Sequence, residues 1–139
     1  MPDRVFFDTN VLVYAFDRGD PTRQEIASRL FDEALRTGVA VLSLQVLQEF
    51  YVVATRKIRA RLSVERARAV VADLLHHTVV EPTAVHLLQA IDLAIAHVLS
   101  LWDALIVAAA ASADCRILYS EDLSPGSTFG TVRLVNPFA

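Results

Sequence analysis

The chain has 139 residues, of which 54% are apolar and 21% charged, so it suits one folded domain that buries roughly 68% of its unfolded surface and excludes a disordered polymer. A formal net charge of −3 excludes a general polyanion binder while leaving room for a local basic patch. One cysteine, Cys115, excludes an internal disulfide and a cysteine-based zinc cluster, and suits a reducing cytoplasm.

Asp3, Arg4 and Asp8 interrupt the opening, so no signal peptide is expected there. The longest purely apolar run, Ala104 to Ala111, falls far short of the ~20 residues that span a bilayer, and a soluble protein is expected. In chain order, Val5-Phe6-Phe7 reads as a strand that stops at Asp8, and the helix-like pattern of Val11 to Ala15 follows at once. Asp17 to Pro21 is a turn cluster. Thr22 and Glu25 form a capping box for a helix that Gly38 ends. Val39 to Leu44 predicts a buried strand, and Gln45 to about Lys57 a helix with Val46, Leu47, Phe50, Val53 and Ala54 on its apolar face and Glu49 at the edge.

A basic stretch follows: Arg56, Lys57, Arg59, Arg61, Arg66 and Arg68 are six of the 13 Lys and Arg residues. Ser63 opens another helix, Val79 to Pro82 a short strand, and Thr83 to about Val98 a further helix. From Ser100 runs a helix that is apolar on every side over Ala104 to Ala111, and therefore buried. Arg116 to Tyr119 and Thr131 to Val135 are the last strands, with Gly126 to Gly130 a loop between them. Strands alternating with helices predict a single α/β domain over residues 1–139, with a mainly parallel sheet and right-handed crossovers.

In such a sheet, strand ends and helix starts share one rim, where ligands bind. Asp8 ends a strand, Glu49 lies in the N-terminal half of a helix, Asp103 starts one, and Asp122 or Glu121 follows the fourth strand. Each has a plainer reading: Asp8 and Asn10 as helix caps, Ser100 with Asp103 as a capping box, Asp122 as a turn residue, Glu49 as a solvated side chain. Together, clustered carboxylates repel one another unless a cation neutralises them. Their hard oxygens suit Mg²⁺ or Mn²⁺, which also bind phosphate oxygens and orient water for attack on a phosphodiester.

The ordered set of DTN after an N-terminal strand, an isolated glutamate in QVLQEF, SLWDAL and LYSED resembles the PIN-domain ribonucleases, most of all the VapC-type toxins of bacterial toxin–antitoxin pairs. The resemblance spans the chain. It implies a three-layer α/β/α fold, a metal-dependent (Mg²⁺ or Mn²⁺) endoribonuclease acting on RNA, a homodimer, and inhibition by a small antitoxin protein. Carried over by position, Asp8, Glu49 and Asp103 match the family's acidic triad. The fourth acid falls on Asp122, with Glu121 beside it as the alternative, and Thr9, Asn10 and Ser120 are supporting polar groups.

The basic edge of Arg56, Lys57, Arg59 and Arg61 is a candidate RNA-binding surface, against a solvated face as its plainer reading. His76, His77, His86 and His97 lack metal-site spacing and read as surface or interface residues. Cys115 and Trp102 read as core. The helix Gln45–Lys57, carrying Phe50 and Tyr51, is the expected docking place of the antitoxin, together with its neighbour. Two other functions compete. An aspartate-nucleophile phosphatase needs a second Asp two residues after Asp8, where the chain has Asn10. A PIN-like RNA-binding module that has lost its metal is the non-enzymatic alternative.

Overall fold

A computed structural model of the chain describes residues 2–139. Twelve elements follow in order: β1 (Arg4–Phe7), α1 (Thr9–Ala15), α2 (Pro21–Arg36), β2 (Ala40–Ser43), α3 (Leu44–Arg56), α4 (Val64–Leu74), β3 (Thr78–Val80), α5 (Ala84–His97), α6 (Leu101–Ser112), β4 (Cys115–Tyr119), β5 (Thr128–Phe129) and β6 (Val132–Val135). The six strands form one sheet in the order β3-β2-β1-β4-β6-β5, parallel throughout except for β5 on β6. Successive strand residues point to opposite faces. Phe6 and Phe7 are nevertheless both fully buried, and so are Val41 and Leu42, so helices cover the sheet on both sides. This is the expected three-layer α/β/α arrangement.

The order of strands locates the site. The chain steps from β1 outward to β2 and β3, then returns to place β4 on the other flank of β1. That reversal between β1 and β4 is a topological switch point, where the crevice beyond the strand ends opens. Phe7 pairs with Tyr119 across it, so Asp8 and Ser120 emerge side by side.

Short polar side chains start nearly every helix by accepting an otherwise unpaired backbone N–H. Asp8 does so for α1, Ser43 for α3, Ser63 for α4, Thr83 for α5 and Ser100 for α6. For α2 the expectation was misplaced. Asp20 is the cap, accepting from Arg23 N, and Pro21 holds the first helical position, so Thr22 and Glu25 lie already inside the helix.

Of the run Ala104 to Ala111 expected to be buried, Ala104 and Ile106 to Ala110 are, Leu105 is half-buried, and Ala111 at the end of α6 is exposed. Trp102 is 65% exposed, against its reading as core. Cys115 is fully buried, and burial pushes its thiol up to about 12, which makes it inert at neutral pH. The loop before β6 hides one more strand: β5 runs back along β6 through a turn in which Gly130 takes a positive φ of 61°. No single helix is long and apolar enough to cross a membrane.

Candidate active site

Beyond the switch point lies an open cavity of about 620 Å³, lined by Asp8, Glu49, Asp103 and Asp122 together with Thr9, Asn10, Tyr14, Asp17, Asp20, Lys57 and Arg59. The four acids singled out in the sequence reach it from four places: the end of β1, the second turn of α3, the first turn of α6 and the turn after β4. The parallel sheet brings these places together, because strand ends and helix starts share its carboxyl rim.

The polar residues flanking the acids aim them. Ser120 Oγ donates to Asp8 Oδ2 at 2.8 Å, while Asp8 Oδ1 accepts from Thr9 N at 2.7 Å. Thr9 Oγ1 donates to Glu49 Oε1 at 3.2 Å. Asn10 Nδ2 donates to Asp122 Oδ2 at 3.0 Å, and its Oδ1 accepts from Glu121 N at 3.2 Å. Ser120 Oγ also accepts from Asp122 N and Leu123 N, which fixes the turn after β4. Thr9, Asn10 and Ser120 thus each orient one carboxylate of the cavity.

Glu121 and Asp122 have different fates. Glu121 turns away from the cavity into a clasp, accepting from Tyr14 Oη at 2.9 Å and from Arg23 Nε at 2.8 Å. The Arg23 guanidinium lies over the rings of Tyr14 and Phe138, 5.4 and 5.6 Å from their centroids. Asp122 faces the cavity. Sequence reasoning missed this clasp, since Arg23 sits within an ordinary helical pattern and nothing local marks its partner 98 residues away. It also passed over Asp17 and Asp20 as turn residues. Asp17 is buried and accepts from Gly19 N at 2.9 Å, closing the turn that forms one wall of the cavity.

Asp8 is the buried member of the acidic set, 8% exposed. Its carboxyl stands raised to about 6: desolvation is the largest cause, the hydrogen bonds from Ser120 and Thr9 pull against it, and the negative charges of Glu49 and Asp103 add to it. A cavity where six carboxylates meet only Lys57 and Arg59 favours a further cation. Every ligating atom that these acids offer is oxygen, a set suited to a hard divalent ion. Among the described residues no three Asp, Glu, His or Cys side chains converge closely enough to cage a metal by themselves. The donor set therefore fits an ion such as Mg²⁺, which takes one or two carboxylates and keeps several waters.

The basic run divides in two. Lys57 and Arg59 stand on the acidic cavity, whereas Arg61 lines a neighbouring cavity of about 500 Å³ with Arg18 and Arg66, and Arg56 lines neither. His76 and His77 are exposed, as expected; His86 is half-buried in the capping box of α5, and the His97 ring packs edge-on to Phe129. Along the helix expected to meet a partner, an apolar groove of about 360 Å³ opens between α3 and α4, lined by Leu44, Leu47, Tyr51, Val71 and Leu75 among others.

Comparison with known proteins agrees with this architecture. The family model described as PIN domain matches residues 5–124. The crystal structure of a Mycobacterium tuberculosis VapC toxin that cleaves the sarcin–ricin loop superposes with a TM-score of 0.68 at 24% identity, covering 85% of this chain and 89% of that one. A toxin–antitoxin complex from Klebsiella pneumoniae gives 0.67 at 21% identity, with 96% and 97% covered. A VapBC complex from Rickettsia felis, bound to a DNA fragment from its promoter, gives 0.66 at 14% identity, with 94% and 96% covered. At these identities the likeness establishes the fold. No curated protein matches the chain.

Proposed function

This chain belongs to the PIN-domain family, and on that premise we propose that it is a divalent-metal-dependent endoribonuclease acting as the toxin of a toxin–antitoxin pair. The observation that carries the reading is the convergence of Asp8, Glu49, Asp103 and Asp122 on one open cavity with Lys57 and Arg59 at its edge. Mg²⁺ or Mn²⁺ would sit among Asp8, Glu49, Asp103 and Asp122, with one or two of these carboxylates bound directly and the others reached through the ion's waters. When bound, the ion would supply neutralising charge for the scissile phosphate and a lowered pKa for an attacking water.

The chain's own residues do the rest. Lys57 and Arg59 draw the phosphodiester toward an otherwise acidic surface. Thr9 and Ser120 hold Glu49 and Asp8 in place by donating to them, and Asn10 does the same for Asp122. The clasp of Tyr14, Arg23 and Glu121 keeps the turn after β4 in register.

A small antitoxin would lay an apolar segment into the groove between α3 and α4, within reach of the acids across α3. An arginine from it would pair with the carboxylates and displace the ion. The relatives named in toxin–antitoxin complexes are in keeping with this partnership.

The alternative, an RNA-binding module without catalysis, has one observation on its side: among the described residues, no three metal-ligating side chains converge on a point. Incubating the purified protein with cellular RNA and Mg²⁺ or Mn²⁺, then mapping cut ends, separates the two. Discrete metal-dependent cuts support the nuclease; binding without cuts in either metal selects the alternative.

A further inference from the structure

A second, smaller pocket meets α3 at Gln45 and Gln48, neither of which lines the acidic cavity. It encloses about 160 Å³ between α3, the start of α5 and the start of α6. Trp102 forms one wall and Pro82 and Leu105 contribute apolar surface, while Gln45, Gln48 and His86 bring polar groups. It adjoins the acidic cavity through the chain itself: Trp102 precedes Asp103 and Gln48 precedes Glu49, and Asp103 and Glu49 line the larger cavity.

Three features restrict what this pocket takes. Trp102 is 65% exposed, leaving a large planar face in solvent, an unusual position for a residue that is highly buried on average. Gln45 Nε2 donates to the Trp102 carbonyl at 3.1 Å, so the first turn of α6 is braced against α3. His86 Nδ1 accepts from Thr83 N at 3.2 Å, so the neutral ring carries its proton on Nε2, a donor. A planar aromatic face with an amide and an imidazole donor beside it matches a flat, polar-edged heterocycle. An aliphatic anchor from a protein partner would leave His86 unpaired; the groove between α3 and α4, which shares Gln48 but is otherwise walled mainly by Leu44, Leu47, Val71 and Leu75, is the better seat for one.

We propose that this pocket is a nucleobase subsite: Trp102 stacks on a base of the RNA strand whose phosphate lies at the acidic cavity, and Gln48 and His86 read that base's edge. The proposal rests on the ribonuclease reading and deepens it, because stacking on Trp102 would place a chosen nucleotide beside Asp103. Trp102 is then a specificity-determining residue.

The chain has one tryptophan, so its emission reports this pocket alone. The wild-type protein, with divalent cations chelated, is titrated with rA, rC, rG and rU tetranucleotides, and cleavage kinetics of a mapped RNA are then measured with Mg²⁺. Expected are saturable quenching that favours one base, and a rise in KM of about five- to a hundredfold in Trp102→Ala with kcat little changed. Trp102→Phe should recover most of that loss, and circular dichroism should match for all three proteins. If the wild type cleaves RNA while emission is unmoved and Trp102→Ala keeps its KM and base preference, the subsite is overturned and the ribonuclease reading stands. Neither binding nor cleavage by the wild type overturns both. Emission that shifts with protein concentration without RNA, or only on adding a protein partner, assigns the pocket to that occupant and overturns the proposal.

Discussion

Asp8 carries a charge in a place that resists charge. Its carboxyl is raised to about 6 from an ordinary 3.8, chiefly by burial. Because the folded-state value is the higher one, the folded protein holds that proton more tightly. The associated stability is fully present below about pH 4 and is lost as pH rises through about 6. The loss is on the order of 1–3 kcal/mol for a shift of this size. In metal-free solution Asp8→Asn should therefore melt a few degrees above the wild type at pH 7, with the gap closing toward pH 4; thermal melts of both proteins across that range are the check. If the Asp8→Asn variant melted below the wild type at pH 7, the burial argument would be contradicted. The residues around Asp8 were unequally legible. The acids themselves could be picked out because each follows a strand or opens a helix. The division of labour between Glu121 and Asp122 could not, because two neighbouring acids in a turn look alike until Tyr14 and Arg23 are seen to bind one of them.

At the scale of elements, alternation of apolar runs with amphipathic helices sufficed for the parallel sheet and for the rim on which the acids meet. Two features escaped it. The strand β5 is only Thr128–Phe129, too short to show a period, and exists because β6 offers it an edge. Helix α6 turns Ala104 and Ala108 onto Ala90 of α5 and leaves Trp102 exposed, a packing fact that no local pattern carries. The link between those two helices also holds strain. Val98 ends α5 in the left-handed region with φ 56° and ψ 46°, unfavourable for a β-branched residue, and it is 92% exposed. Val98→Gly should relieve the strain without loss of packing and raise stability by about 1 kcal/mol, measured by urea denaturation; a lower midpoint would contradict this. The basic run makes a further distinction. Lys57 and Arg59 face the acidic cavity, so replacing either by Ala should weaken RNA binding and flatten the log–log salt dependence by about 0.7 per lost contact, whereas Arg56→Ala should leave the slope nearly unchanged. Equal slopes for all three would return the run to a solvated face.

The whole molecule leaves a large apolar stripe uncovered. Leu88, Ile91 and Ile95 repeat along α5 at helical spacing and are 64%, 38% and 76% exposed. A surface of that kind marks an interaction site, and a symmetric pairing of α5 helices would supply the homodimer that the family resemblance implies. Leu88→Asp with Ile95→Asp should shift sedimentation from dimer to monomer, and a wild type that sediments as a monomer at micromolar concentration would rule the pairing out. No residue of α5 lines the acidic cavity, which carries the central claim. The measurement that tests it most directly is the Mg²⁺-dependent rate of RNA cleavage in single variants of each acid, with Glu121→Gln for comparison. Asp8→Asn, Glu49→Gln, Asp103→Asn and Asp122→Asn should each fall by roughly a hundredfold or more while retaining their fold, consistent with the loss of preorganised charge at a reacting centre. Glu121→Gln should stay within about tenfold of the wild type, since Glu121 acts only through the turn it holds. Full-rate cleavage by Asp8→Asn, or loss in Glu121→Gln as deep as in Asp122→Asn, would contradict the account.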